Sequence, residues 1–210
     1  MALANYTDLK SAIALWMDRT DVTSVIPDFI TLFETTAKAE LPLRTRFNLT
    51  TATLTTVAGT ATVALPSDFL EAKSLINQTS PVTVLTPYTA TALYTQVGFP
   101  AQRGAPKGFT YVGEALELAP VPDAAYGLKL YYYKKAPALS AETPTNWLLT
   151  NFPNLYLFGS LVAAEAYLGA DPRIKLWGDL YGNLLQTLAG ANERGQYGGA
   201  PLAVKGDAVA

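Results

Sequence analysis

The chain has 210 residues, of which 50% are hydrophobic, enough to bury a sizeable core as one domain or as a main domain with a smaller insert. Its 15 Lys and Arg residues against 17 Asp and Glu give a formal net charge of -2 without a basic cluster, so tight binding to nucleic acid is not expected. Because Cys and His are both absent, thiol nucleophiles, disulfides, imidazole metal sites and the commonest general base are excluded, and the sequence predicts a non-catalytic protein with no cofactor and no metal site.

Two helices are predicted within residues 1–46. The first has Thr7 as a candidate N-cap and repeats apolar residues at helical spacing, namely Leu9, Ile13 and Trp16. The second follows a candidate cap at Ser24, carries Pro27 in its first turn, where the missing amide proton is tolerated, and ends near Pro42.

A small antiparallel β domain is predicted for residues 47–140. Residues 49–57 and 60–65 are rich in Thr and Val and flank the turn signal Ala58-Gly59, which predicts a β-hairpin. A further extended run covers residues 71–78, and a short helical stretch follows at residues 87–97.

A second hairpin is predicted around Val112-Gly113-Glu114, between strands at residues 109–111 and 115–118. Residues 127–135 then alternate with a period of two, which predicts another strand with Leu128, Leu130 and Tyr132 on one face. We expect this strand to pair with the second hairpin.

Helices return within residues 141–195. One begins at Asn151-Phe152-Pro153 and stops at Gly169, and another begins at the capping pair Asp171-Pro172 and ends at Gly195. The last helix carries an apolar stripe made of Ile174, Trp177, Leu180, Tyr181, Leu184, Leu185 and Leu188. Residues 196–210 are too poor in large apolar side chains to pack on themselves, so they are predicted to form an extended C-terminal arm.

The order of these elements predicts an α+β fold. Helices from the two ends of the chain, residues 1–46 and 141–195, would pack into one antiparallel helical bundle. The small antiparallel β domain of residues 47–140 would be inserted into it, and the arm of residues 196–210 would extend from it.

Carboxylates are the remaining candidates for acid–base chemistry. The closest pairs are Glu114 with Glu117, Asp68 with Glu71, and Glu34 with Glu40. Glu114 and Glu117 are predicted to point to opposite faces, Asp68 is a turn residue, and Glu34 and Glu40 lie six apart on a helix. We therefore expect each of them to be solvated and not catalytic.

Glu165 lies on an otherwise apolar predicted helix and needs a polar environment. The favoured interpretation is a position on the solvent side of that helix. The alternative is an ion pair between subunits, with Arg44, Arg46 or Arg173 as the partner.

The N-terminus lacks a cationic region followed by a long apolar run, and nowhere do about 18 apolar residues follow one another without interruption. We expect a protein that is made in the cytoplasm and does not span a membrane. Charged residues make up 15% of the chain, against about 25% in an average soluble protein, which leaves the neutral surface that subunit contacts use.

Four stretches carry a family resemblance. They are Tyr6-Thr7-Asp8-Leu9-Lys10 with its continuation to Asp21, Ile26-Pro27-Asp28-Phe29-Ile30 with Leu32 and Glu34, Leu65-Pro66-Ser67-Asp68-Phe69-Leu70, and Asn146-Trp147-Leu148-Leu149 with Phe152-Pro153-Asn154-Leu155-Tyr156-Leu157 and Gly159. In order and spacing they resemble the head-to-tail adaptor (connector) proteins of tailed bacteriophages, particularly of short-tailed phages. One departure is that Thr35-Thr36-Ala37-Lys38 stands where the family's second helix often has an Arg pair.

The resemblance implies a structural subunit of the virion, made in the host cytoplasm and placed at the head–tail interface. Such adaptors form a twelve-subunit ring docked on the portal protein, extend the DNA channel used in ejection, and present a platform to the next tail component, a nozzle or tail tube. Double-stranded DNA would pass through without specific binding, and no membrane would be involved. The C-terminal arm would reach into the portal, anchored by Tyr197, Pro201, Leu202 and Val204.

Two other classes of function stay open. The first is a carbohydrate- or protein-binding module of a phage tail appendage, built on the β-rich middle. The second is a phage-encoded glycosidase that uses the carboxylates above, which is the less favoured of the two.

Overall fold

The computed structural model describes residues 3–19, 21–40, 47–97, 102–169 and 171–197. The chain divides into two compact units, one made of Met1–Phe47 with Ala138–Ala210 and the other of Asn48–Pro137. The elements, in chain order, are α1 (Tyr6–Met17), α2 (Ile26–Glu40), β1 (Leu49–Thr55), β2 (Thr62–Ala64), β3 (Phe69–Asn77), β4 (Thr83–Pro87), α3 (Ala90–Ala92, continued by a π-helical turn, Leu93–Val97), β5 (Gly108–Val112), β6 (Ala115–Ala119), β7 (Gly127–Lys134), α4 (Trp147–Asn151), α5 (Pro153–Ala163), α6 (Glu165–Leu168) and α7 (Ile174–Tyr197).

Local signals set the ends of the helices. Asn5, not the expected Thr7, caps α1, because its side chain accepts a hydrogen bond of 2.9 Å from the Asp8 amide. Asp18 ends α1 in the left-handed conformation, with φ of 53°. Asn146 caps α4 in the same way as Asn5 caps α1, through a 2.8 Å bond from the Leu149 amide. Short polar side chains thus satisfy amides that the first helical turn leaves without partners.

The core of the helical unit lies around α5. The Phe33 ring of α2 meets the Tyr156 ring of α5 at 5.0 Å and the Tyr181 ring of α7 at 6.1 Å. Gly159 makes this packing possible, because a Cβ atom at that position would lie 2.2 Å from the Phe33 ring. The fully buried large side chains of this unit include Leu9, Ile13, Met17, Ile26, Ile30, Phe33, Tyr156 and Trp177.

The β unit is a seven-stranded mixed sheet with the order β1-β7-β3-β4-β5-β6-β2. Its pairs are antiparallel except for β4 with β5. β1 and β2 follow one another in the chain yet form the two edges, so the sheet must curl to bring these edges back together. The inward faces share one core, which contains Leu75, Leu85, Phe109, Leu116, Leu118, Leu128, Leu130 and Tyr132.

The predicted fold class, a helical bundle with a small inserted antiparallel β domain, is wrong. The sheet is neither small nor purely antiparallel, since it has seven strands and a parallel step at Thr86 and Pro87 of β4. β4 was missed because its exposed and buried positions do not alternate along the strand, so the sequence lacks the period-two signal.

Two pairings predicted from the sequence are also wrong. β1 and β2 do not form a hairpin, because β1 pairs with β7 and β2 pairs with β6. β7 does not pair with the second hairpin and lies instead between β1 and β3. The second hairpin itself is confirmed, with Val112 opposite Ala115 and Gly113 at φ of 60° in the turn, a conformation that glycine adopts without strain.

Candidate interaction surfaces

Glu34 lies in the core of the helical unit, where we expected a solvated carboxylate. Its side chain is 8% exposed, and its Oε1 accepts hydrogen bonds from the Leu139 amide at 2.8 Å and from the Tyr156 hydroxyl at 3.0 Å. The Asn146 amide donates in turn to the Tyr156 hydroxyl at 2.7 Å. Burial raises the pKa of the Glu34 carboxyl, although both hydrogen bonds act in the opposite direction. This carboxylate ties α2, α5 and the segment after the β unit together.

The candidate carboxylates of the β unit make separate hydrogen bonds or lie exposed. Asp68 accepts a 2.8 Å hydrogen bond from the Tyr132 hydroxyl, and burial with this bond raises the pKa of Tyr132 to about 12. Glu117 accepts a hydrogen bond from the Tyr94 hydroxyl. Glu114 lies exposed in the hairpin turn. Asp68 and Glu117 thus accept hydrogen bonds from different tyrosines.

Arg173 joins two helix ends inside one chain. Its guanidinium donates to the Trp16 carbonyl at 3.1 Å and to the Met17 carbonyl at 2.9 Å, and so satisfies carbonyls at the C-terminus of α1. The same group pairs with Asp171 at 2.8 Å. Glu165 is exposed on α6, while Arg44 and Arg46 lie outside the described residues. The ion pair between subunits, the alternative interpretation of Glu165, therefore stays a prediction.

The last helix, α7, is longer than the sequence indicated. α7 continues past Gly195 and ends at Tyr197, so the backbone of that residue is helical. Pro201, Leu202 and Val204, the other three expected arm anchors, lie outside the described residues. α7 has 24 residues and is therefore about 36 Å long.

Large apolar side chains are exposed at one end of the helical unit. Leu15 is 64% exposed in the last turn of α1, and Leu176 is 57% exposed in the first turn of α7. Trp16 packs edge-on against Phe158 at 5.3 Å and keeps 38% of its surface exposed. Because Arg173 joins these same two turns, this end of the unit has the mixture of apolar surface and arginine that is typical of protein interfaces.

A second feature of this unit is an apolar groove of about 180 Å³ between the start of α5 and the middle of α7. Phe152, Pro153 and Leu155 line one side, and Leu184 and Leu188 line the other. Leu184, which belongs to the apolar stripe of α7, is half-exposed at this groove. The helices of the unit therefore do not cover the stripe completely.

The β unit contains a larger cleft, with a volume of about 580 Å³. Its walls come from the start of β3, the end of β4 and the β5–β6 hairpin, and include Phe69, Glu71, Ala72, Pro87, Tyr111 and Glu114. Sequence reasoning missed this site. Tyr111 and Val112 gave a usable signal, because two neighbouring large apolar residues next to a tight turn must leave one side chain exposed.

Among the described residues, none of the helices is both long enough and apolar enough to cross a membrane. In the same part of the chain, acidic side chains do not gather in threes as they would around a metal ion.

A protein-family model described as "SU10 adaptor protein" matches residues 4–205, nearly the whole chain. No curated protein matches the chain.

Proposed function

The chain belongs to the SU10 adaptor protein family, a family of phage head-to-tail adaptors, and we propose that it is the ring subunit that docks on the portal, extends the DNA channel and carries the next tail component. The match over residues 4–205 carries this proposal, because it includes both units and most of the C-terminal segment. The protein is thus a structural virion component, and we infer that it has no catalytic activity.

The helical unit supports a role in portal docking. α7 ends at Tyr197, at the start of the C-terminal segment that the resemblance assigns to the portal. A segment with few large apolar residues gains order from a partner and not from its own packing. We therefore propose that Tyr197, Pro201, Leu202 and Val204 bind the portal ring.

The surface of the helical unit supports assembly with further copies. Leu15, Trp16 and Leu176 present apolar area at the end where α1 meets α7. A ring requires a different surface on each side of the subunit, and a closed ring leaves none of these surfaces without a partner. We propose a ring of twelve subunits, with Glu165, Arg44, Arg46 and Arg173 at the subunit boundaries.

The charge of the chain suits a DNA conduit. Fifteen basic and 17 acidic residues leave the subunit close to neutral, so it does not attract the phosphate backbone as a basic protein does. DNA can then slide through the channel without being held.

Removal of residues 198–210 tests portal docking. We expect the shortened chain, which keeps α7 complete, to fold as the full chain does and to lose sedimentation with purified rings of the cognate portal. A substitution in the other unit, Val82→Thr, serves as the matched control, because Val82 is 67% exposed on the β unit. Unchanged sedimentation of the shortened chain with the portal would contradict the assigned role of the arm.

A further inference from the structure

The groove between the start of α5 and the middle of α7 has an apolar floor and an uncharged lining. Leu184 is half-exposed in this groove, whereas Leu188 is buried below it. Burial of such apolar surface is favourable, so the groove is suited to a second apolar group. Its lining residues, all of them neutral, are Asn151, Phe152, Pro153, Asn154, Leu155, Leu184, Thr187 and Leu188.

The size of the groove suits aliphatic side chains. Its volume is about 180 Å³, well below the range of about 300–1,000 Å³ that is typical of sites for small molecules. A buried cavity of about 150 Å³ takes one benzene molecule. The groove therefore has room for about two aliphatic side chains.

The spacing of the two leucines of α7 suits an extended segment. Leu184 and Leu188 are four residues apart on the helix, which separates them by about 6 Å along its axis. In an extended chain every second side chain points to the same side, and neighbours on that side are about 6.6 Å apart. Two apolar residues at positions i and i+2 of an extended segment would therefore meet the two leucines in turn.

The C-terminal segment, residues 198–210, contains such a pair near its start. Leu202 and Val204 are two positions apart, and the sequence between Gly198 and Val204 has no charged residue. Gly198-Gly199 is a turn signal, and Pro201 disfavours a helical conformation at the residue before it. The segment thus matches the groove in polarity, in spacing and in its preference for an extended conformation.

The length of the segment places this pair at the groove of its own chain. α7 ends at Tyr197, and Leu188 and Leu184 lie about 14 Å and about 20 Å before that residue along the axis. An extended chain covers about 3.3 Å per residue, so Leu202 can lie about 17 Å and Val204 about 23 Å from Tyr197. The small excess of length is what a turn back along α7 requires. Leu202 would then lie level with Leu188, and Val204 level with Leu184.

We propose that, before the chain meets the portal, residues 200–204 lie extended in the groove of their own chain, with Leu202 and Val204 against Leu188 and Leu184. The groove then covers the apolar side chains of the arm, and docking on the portal requires their release. The short link to α7 gives an effective concentration in the millimolar range, which favours the chain's own groove over that of a second copy. The inference rests on the proposed role of the arm in portal docking, and its first test uses the chain alone.

Disulfide exchange in the full-length protein tests the docked position. The chain has no cysteine, so an introduced pair reports only on its own two positions. Thr187→Cys with Ala203→Cys places one thiol at the groove and the other between the two anchoring residues. Gln186→Cys with Ala203→Cys is the matched control, because Gln186 is exposed as Thr187 is but points about 100° away around α7.

The effective concentration of each thiol pair is measured in glutathione buffers at low micromolar protein. We expect the Thr187→Cys pair to exceed the Gln186→Cys pair by at least about tenfold, since only the former lies beside the docked segment. Leu202→Ser with Val204→Ser, added to the Thr187→Cys pair, should remove this difference. Equal values for the two pairs, no effect of the serine substitutions, or disulfide-linked dimers in place of the intramolecular bond would each overturn the proposal.

Sedimentation with rings of the cognate portal separates this proposal from the proposed function. We expect the oxidised chain with Thr187→Cys and Ala203→Cys to lose sedimentation with the portal and the reduced chain to regain it. Portal binding by the oxidised chain would contradict the competition between groove and portal. If the reduced chain and the wild type both fail to bind, the proposed function is contradicted, while the disulfide measurement still decides whether the arm docks in the groove.

Discussion

The burial of Glu34 is not apparent from the sequence. The sequence places it on a helix with polar neighbours, which predicts a solvated side chain, yet the structure buries it. Its hydrogen-bond donors, the Leu139 amide and the Tyr156 hydroxyl, lie 105 and 122 residues away along the chain. No local pattern reports such partners, so the burial of Glu34 could not be predicted from the sequence.

Substitution of Glu34 tests this network. Glu34→Gln keeps an oxygen that accepts both hydrogen bonds, whereas Glu34→Ala leaves the Leu139 amide and the Tyr156 hydroxyl buried without an acceptor. We expect Glu34→Ala to lower the free energy of unfolding by about 2 kcal/mol at neutral pH, and Glu34→Gln to change it much less. Urea unfolding followed by circular dichroism measures both.

The pH dependence of the free energy of unfolding also tests this network, because the raised pKa of Glu34 predicts the direction of the change. A carboxyl whose pKa is raised by folding contributes stability below its unfolded pKa of about 4.3, and this stability is lost as the pH rises through the raised value. The free energy of unfolding of Glu34→Gln should therefore rise relative to that of the wild type between about pH 4 and pH 7. A constant difference over this range would show that the pKa of Glu34 is unshifted.

Arg173 is a second residue with an individual role, since it donates to the last carbonyls of α1 from the start of α7. We expect Arg173→Ala to lower Tm by a few degrees and Arg173→Lys to recover only part of the loss, because an ammonium cannot reproduce the forked contact. Arg19→Ala is the matched control, since the pair of Arg19 with Asp21 is exposed and contributes little. Equal effects of Arg173→Ala and Arg19→Ala would contradict the capping role.

At the scale of elements, the packing of α5 depends on the close approach of Gly159 to the Phe33 ring of α2. The Gly159 backbone leaves room for the Phe33 ring of α2, which in turn contacts rings of α5 and α7. A glycine inside a helix normally weakens the helix, and here the close packing against Phe33 offsets that loss. Within the described residues, α5 is thus the helix around which the helical unit packs.

Gly159→Ala tests this packing. The new Cβ would lie 2.2 Å from the Phe33 ring, so one of the two helices must shift, and we expect a loss of about 3 kcal/mol in the free energy of unfolding. Gly182→Ala is the control within α7, because no atom lies within 4 Å of its added Cβ, and it should gain about 0.5–1 kcal/mol. A gain of stability in Gly159→Ala would mean that the contact with Phe33 is looser than the structure has it.

Helices and strands that depend on local sequence patterns were predicted well, whereas the pairing of the strands was not. α1, α2 and α7, the β5–β6 hairpin and the inward face of β7 each follow from neighbouring residues. The single helix predicted between Asn151 and Gly169 is instead divided into α5 and α6. The pairing of β1 with β7 joins residues about 80 positions apart, and the Ala58-Gly59 turn signal indicated a hairpin that does not form. Long-range strand order depends on which hydrophobic faces meet in the shared core, and periodicity alone does not contain that information.

At the scale of the whole molecule, the binding surfaces were predicted only in part. The resemblance drew attention to the C-terminal arm, and the family match extends into it as far as residue 205. The cleft between β3 and β5 could not be predicted, because it arises where β4 changes partners, and that crossing follows from the complete sheet order. The surfaces of an assembly protein are thus created mainly by long-range topology.

Electron microscopy of negatively stained mixtures of the full-length protein and its cognate portal ring tests the adaptor function most directly. We predict a ring of this chain stacked coaxially on the portal, with twelve copies resolved in end views, and no such stack with an unrelated portal. A protein that stays separate from its cognate portal under conditions where both are folded would contradict the function proposed here.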